Sequence, residues 1–423
     1  QSPHTYTFRS LDDFHPDALL QSAPFAPLKA MRDQLDTPQG IAEALQVLTG
    51  GETGETVPAT ATPAAPAQDE TDASTLERLL GAPSGTAATP RDRAKQMVEA
   101  LIQRSATPPP APSLADDTRA NAAREAIERE MATRLRSLLR TDAIQSLEAL
   151  WRMTFEFATE VDFGEDELKC SLLPISGTAL ADDLGEAAAS GVPGRIATLL
   201  EQARGEDQAL LVVATFTVGD DERALGWLAQ LATVVANLEG TLLADAAPSL
   251  AGVTDTADLN TPEKWAAPAE GAAQAWRRLQ DSPAAKHLAL ALPGLLVRLP
   301  YGERGEACES LAFEEFDGDP ANGAPWGSAA LGLAKALAEH WVADEANGRA
   351  PGALVLEDRP AFSYESDGER RLLPVTRTLL SDRAADALMA RGLVAWCAQA
   401  NGNRARLATL ESVAGGALRG VWA

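Results

Sequence analysis

Cysteine is scarce in this 423-residue chain, and Cys170, Cys308 and Cys397 lie far apart. That spacing excludes a disulfide framework and cysteine-based zinc sites, and it fits a reducing compartment. Histidine is nearly as rare. His4, His15, His287 and His340 are scattered, none sits three to five residues from another or from a cysteine, and no metal is expected. Positive charge is short too: 36 Lys and Arg stand against 61 Asp and Glu, for a formal charge of -25. Such a balance opposes nucleic acid and anionic membranes as partners, because cationic groups must replace counterions there. The acids are interspersed rather than blocked, so they read first as a solvated face and second as a surface for a basic partner. No apolar run, the one over 209–218 included, approaches the roughly 18 to 20 residues that span a bilayer, and no charged-then-apolar segment opens the chain. Cytoplasm is the expected location. Since the first residue is Gln1, upstream sequence is left open.

Sequence signatures of chemistry are also missing. Neither Gly-x-x-x-x-Gly-Lys-Ser/Thr nor Gly-x-Gly-x-x-Gly occurs, so no phosphate cradle or other cofactor site is expected. Gly327-Ser328 lacks the second glycine of a nucleophile elbow, and nothing around Cys308 marks it as reactive. The acids Glu314, Glu315, Asp317 and Asp319 could supply a carboxylate pair for a hydrolase, but neighbours on a strand point to opposite faces. A solvated loop is the plainer reading, with one flanking acid meeting an arginine such as Arg298. His287, at the start of an apolar strand, reads as a satisfied structural histidine.

What is present is 45% hydrophobic content, enough for a sizeable core in two or three folding units. A strand is expected around Tyr6 to Arg9, then a helix carrying Phe25, Leu28, Met31 and Leu35. Residues 49–72, made of Gly, Thr, Pro, Ala and acids, read as a flexible linker, and 73–117 as a two-piece helical segment with a spacer at Pro108 to Pro112. Asp117 to Arg140 forms a helix with Ile127, Met131, Leu135 and Leu138 on one face. A second helix should bury Ile144, Leu147, Trp151, Phe155 and Ala158. An α/β pattern follows: alternation at Leu168, Cys170 and Leu172, helices from Ala179 to Arg204 broken at Gly191 to Gly194, an apolar strand from Leu210 to Phe216 and a helix from Asp220 to Asn237. An all-apolar strand followed by a helix predicts a covered, parallel sheet. The tail predicts a helix over Leu331 to Trp341, short strands near Leu354 and Leu373, and a helix opening at Ser381.

Several segments, in order, resemble the large subunit of the bacterial type VI secretion contractile sheath. They are Gln145 to Arg152 (with Leu147, Glu148, Trp151 and Arg152), Trp227 to Asn237, Trp276 to Leu279, and the run from Leu292-Pro293 through Arg298 to Pro300-Tyr301-Gly302. Phe313 and Glu315, then Trp326-Gly327, and Leu379 to Arg383 (with Ser381 and Asp382) leading to Gly392, complete the match over roughly 141–412. At the front, Asp13, Phe14 and Pro16, then Leu28, Arg32 and Leu35, resemble the end of the small sheath subunit. This second resemblance implies a fused unit, with a β-rich body expected ahead of Gln1.

Two departures stand out. Gly191-Val192-Pro193-Gly194 and Ala214-Thr215-Phe216 replace the family's glycine-rich segment and Asp-Tyr-aromatic strand, and the family's second half, with its terminal strand arms, is absent from this sequence. The resemblance implies an α/β fold, a mixed sheet flanked by helices, with helical N-terminal segments and a large-subunit-like domain over 118–423. It implies a structural, non-enzymatic role, assembly with copies or other sheath subunits, and inner tube and baseplate proteins as further candidates. The place implied is the cytoplasm, against a membrane-anchored apparatus. A baseplate adaptor, cap or assembly regulator is the alternative, and a carboxylate hydrolase a remote one.

Overall fold

The computed structural model describes residues 5–35, 37, 39–42, 114–164, 168–205, 208–316, 320, 323–343, 354–366, 368–400 and 402–420. The expected linker over 49–72, nearly all of the segment 73–117, and Asp317 and Asp319 lie outside them.

The helices are α1 Pro16–Leu19, α2 Ala26–Asp33, α3 Leu114–Leu139, α4 Asp142–Glu160, α5 Gly177–Ser190, α6 Arg195–Arg204, α7 Glu222–Asn237, α8 Glu270–Gln280, α9 Ala329–Ala343 and α10 Asp382–Met389. The strands are β1 Leu211–Val218, β2 Thr241–Ala246, β3 Leu288–Leu292, β4 Leu295–Leu296, β5 Trp326–Gly327, β6 Val355–Leu356, β7 Phe362–Ser366, β8 Glu369–Leu373, β9 Val394–Ala398 and β10 Ala405–Leu407. Two compact units result, one made of residues 1–24 with 132–423, the other of 25–131. In the smaller, Phe25, Leu28, Leu35, Ile41, Ala123, Ile127 and Met131 are buried.

The larger unit is organised by a six-stranded mixed sheet in the order β1-β2-β3-β9-β10-β6. Strands β1, β2, β3 and β9 run parallel, while β10 runs antiparallel to β9 and β6. The Leu-Ala-Leu-Ala-Leu of β3 is buried at every position, and alternation divides it between two layers. Leu288, Leu290 and Leu292 join Leu242 and Ala244 under α7, whose Leu225, Leu228, Leu231 and Val235 supply the facing stripe. Ala289 and Ala291 join Leu243 on the other side, against Ala330, Leu333 and Leu337 of α9. The small alanines let α9 approach, and its residues 329–338 are all buried.

Helix boundaries follow local chemistry. Ser176, Asp221 and Ser381 accept the Ala179, Ala224 and Ala384 amides at 3.2, 2.9 and 3.3 Å, the ordinary cure for orphan donors at a helix start. Gly191 ends α5 at φ +69°, and the Asp183 carboxylate accepts the Arg195 and Ile196 amides at 2.7 and 3.0 Å to open α6.

Three expectations need correction. Tyr6 to Arg9 forms no strand and joins no sheet, its Phe8 ring instead stacking on Phe14 at 4.1 Å. The alternating stretch at Leu168, Cys170 and Leu172 likewise forms no strand and no ladder. Most consequentially, α4 buries Ile144, Glu148, Ala149 and Met153, while Leu147, Trp151, Phe155 and Ala158 of the expected core stripe are exposed.

Candidate functional site

Helix α4 is amphipathic in the inverted sense. Glu148, Arg152, Glu156 and Glu160 recur every four residues, which places them in one row, and that row is taken up by partners inside the larger unit.

At the near end, the Arg298 guanidinium, 5% exposed, lies between Glu148 and Glu315, each carboxylate 1% exposed. Its Nε and Nη2 donate to Glu148 at 2.6 and 3.1 Å, and its Nη1 and Nη2 donate to Glu315 at 2.7 and 3.0 Å. Arg152 Nε adds a 2.8 Å bond to Glu148, and its Nη2 donates to the Tyr301 hydroxyl at 3.0 Å. The Tyr301 hydroxyl donates to Glu148 at 3.1 Å, its amide donates to Glu315 at 2.8 Å, and its ring lies 3.8 Å from the Arg298 carbon. Two cations meet two anions, so the cluster is neutral.

Burial alone would raise the Glu148 carboxyl, but Arg298 and Arg152 outweigh it and hold the group below the usual carboxylate range. Burial would lower Arg298, yet Glu315 and Glu148 hold it well above its ordinary value. Burial raises the Tyr301 hydroxyl. This is the signature of a saturated ion network: forked donors matched to carboxylates, with no open valence for a substrate.

The N-terminal segment closes one side. His15 meets Tyr301 edge-on at 5.1 Å. The Asp17 carboxylate accepts from Cys308 Sγ at 3.1 Å and from the Glu309 and Ser310 amides at 2.9 and 2.8 Å. Burial, then Asp17, push the Cys308 thiol up to about 11, the opposite of an activated nucleophile. Gly302 sits at φ +150°, where an added Cβ would collide with the Glu314 carboxylate.

At the far end of α4, Lys335 Nζ reaches Glu156 at 2.7 Å, Glu160 at 2.5 Å and Glu339 at 3.6 Å. Arg359 also pairs with Glu156 and donates to the Leu296 carbonyl at 2.8 Å. Helix α4 is thus tied to the loop after β4 at one end and to α9 at the other.

The sequence-derived residues divide accordingly. Glu148, Arg152, Arg298, Tyr301 and Glu315 converge, with Pro300 and Gly302 shaping the turn. Glu315 is not part of a solvated loop, because Arg298 and the Tyr301 amide supply its partners indoors. Phe14, Pro16, Pro293 and Phe313 are buried, and the Phe313 ring lies 5.7 Å from the Arg136 guanidinium. Trp326 and Gly327 form β5, and Met153 would block any side chain at Gly327. Asp13 holds the Arg9 and Ser10 amides at 2.5 and 3.0 Å. Leu28, Arg32 and Leu35 belong to the smaller unit. Asp382 pairs with Arg406 at 2.8 Å on the surface, and Gly392, at φ +80°, lies where a Cβ would meet the Val413 carbonyl at 2.6 Å. His287 is satisfied as expected, 2.8 Å from the Gly240 carbonyl. Sequence reasoning passed over Glu156, Lys335 and Arg359. Lys335 could have been found as the one charge within the otherwise apolar run Ala329 to Ala338 that opens its helix.

One further buried acid yields a pH prediction. Asp245, next to last in β2, accepts the Ala330 amide at 2.8 Å, and burial pushes its carboxyl up to about 6 despite that donor and the nearby Ser328. An acid raised on folding lends stability that is full below its unfolded value, near 4, and lost as pH rises through about 6. The residue keeps some solvent contact, which discounts the effect. Asp245→Asn is expected to gain roughly 1–2 kcal/mol relative to the parent between pH 4 and pH 7, measured by urea unfolding at each pH. A constant difference would show that the carboxyl is charged throughout.

A layered α/β body with a neutral, fully paired interior network has the build of a part made to be held rigid. Residues 121–414 match VipB, the EvpB/VC_A0108 tail sheath N-terminal domain, and the chain belongs to that family. It is 30% identical over 111 residues to the type VI secretion system sheath protein TssC1 of Pseudomonas aeruginosa, a match covering 25% of this chain and 22% of that protein. The chain therefore spans less than a quarter of the curated relative it matches. Among the described residues no helix is long and apolar enough to cross a membrane, and no group of three His, Cys, Asp or Glu is placed to hold a metal ion.

Proposed function

We propose that this chain is a structural protomer of a type VI secretion contractile sheath, joined to other sheath subunits by packed side chains and added strands. The observation that carries this reading is the outer face of α4. Leu147, Trp151 and Phe155, at 37%, 48% and 57% exposure, form a ridge at spacings of four on a helix whose charged row is consumed inside. Large apolar groups left in water in a row mark a contact surface, and a helix clamped at both ends presents them without further ordering cost. The buried network positions that helix, and the residues that carry the resemblance serve packing and assembly in this reading. Inner tube and baseplate proteins are the neighbours such a protomer would meet.

The test is electron microscopy and sedimentation of the purified chain, alone and with the tube and baseplate proteins of the same genome. Tubules or large regular assemblies are expected, and Trp151→Ser with Phe155→Ser should reduce them without shifting the unfolding midpoint. A chain that stays monomeric in every mixture overturns the proposal, and small discrete complexes replace it with an end-binding role.

A further inference from the structure

Leu168 to Ile175 belongs to no helix or sheet. Its sequence alternates like a strand at Leu168, Cys170 and Leu172, and Lys169 to Ile175 are all exposed, with Leu172 at 65%, Leu173 at 45% and Ile175 at 37%. Among the described residues, no hydrogen bond involves the backbone of Lys169 to Ile175. The segment is nonetheless fixed at both ends: the Leu168 amide donates to the Phe163 carbonyl at 3.1 Å, and Ser176 caps α5. The same unit holds the converse feature, a sheet lacking a strand. The eight-residue β1 is the edge of the six-stranded sheet, and among the described residues nothing pairs with its outer side. Its Thr215 and Thr217 are exposed.

We propose that Leu168 to Ile175 of one copy adds to the outer edge of β1 of a second copy as a seventh strand. The two stretches match in length, and both are rich in large apolar residues. Charge points to a second copy. In a chain of net charge -25, copies repel wherever acids face acids, yet Leu168 to Ile175 contains one lysine and no acid, and β1 contains no charge at all. Within one chain the two stretches are both in place and unpaired. Strand addition supplies main-chain bonds to both. Because each copy offers one donor and one acceptor, the contact is heterologous and can propagate. The proposal rests on the assembly reading above and names a joint for it.

The full-length chain carrying Cys308→Ser and Cys397→Ala retains Cys170, in the middle of the segment; Thr215→Cys or, separately, Thr217→Cys marks the edge. Mild oxidation with diamide, read on non-reducing gels, is expected to give a ladder of dimers, trimers and higher species with at least one edge cysteine. Leu172→Lys should weaken the ladder about ten-fold while leaving the unfolding midpoint in place. A disulfide closed within one chain overturns the proposal, as do dimers that stop at two and form with Cys170 alone. No cross-link in a preparation that still builds tubules also overturns it, and leaves the sheath reading standing.

Discussion

Arg298→Ala is expected to be the most damaging single change at the ion network, costing about 3–5 kcal/mol, the usual penalty for stranding buried charge. Among the described residues, the substitution removes every side-chain cation bonded to Glu315 and leaves that carboxylate with the Tyr301 amide. Glu148 keeps Arg152 and the Tyr301 hydroxyl and suffers less. Glu148 sets the pH dependence. In the parent, Arg298 and Arg152 outweigh burial and its carboxyl is depressed on folding, so its contribution is present above the unfolded value and fades as pH falls. The variant loses the larger part of that contribution with Arg298. The gap between parent and variant should therefore be widest near pH 7 and should narrow toward pH 4, as measured by urea unfolding followed by circular dichroism. Replacing the trio together, with Arg298→Met, Glu148→Gln and Glu315→Gln, should recover most of the loss, because the cost lies in the unpaired charge rather than in the missing bonds. Equal losses at both pH values would show that Arg298 acts through packing of its stem.

Trp396→Ala is expected to cost a similar amount, about 3–5 kcal/mol, for a different reason. Trp396 on β9 is fully buried, and its indole donates to the Ala329 carbonyl at 3.0 Å, where α9 begins. Two terms compete: the cavity left by the ring, and the hydrogen bond. A buried bond contributes roughly 1 kcal/mol, so the cavity should dominate. Trp396→Phe, which keeps most of the ring volume and loses the bond, should cost about 1–2 kcal/mol. Calorimetric or urea midpoints of the two variants decide it: matching losses would transfer the role to the hydrogen bond.

The fold was most legible where one residue's neighbours in sequence are also its neighbours in energy. The apolar run opening at Leu210 and the Leu-Ala repeat of β3 announce strands, the second of them buried at every position, and Ser381 announces a helix start through its own side chain. Strand β2 was missed, being short and carrying near its end an acid, Asp245, whose partner, the start of α9, lies 85 residues onward. The outward stripe of α4 was misassigned because periodicity reports that apolar residues share a side and is silent on what lies opposite. A glutamate row normally faces water; here Arg298, Lys335 and Arg359, all distant in sequence, wait inside to receive it. The pairing of Arg298 with a following acid was legible, since both belong to one short loop. Its second partner, Glu148, lies 150 residues earlier.

The attachment of Asp17 to the loop at 308–310 has one more consequence. The front of the polypeptide is a piece of a body whose remainder starts only at residue 132, so the stretch between is an excursion from a unit already closed by noncovalent bonds. A protease cut within that excursion would yield two fragments that travel together through a sizing column and part only under denaturant. A gene split at the same place could make the body from two separately translated chains.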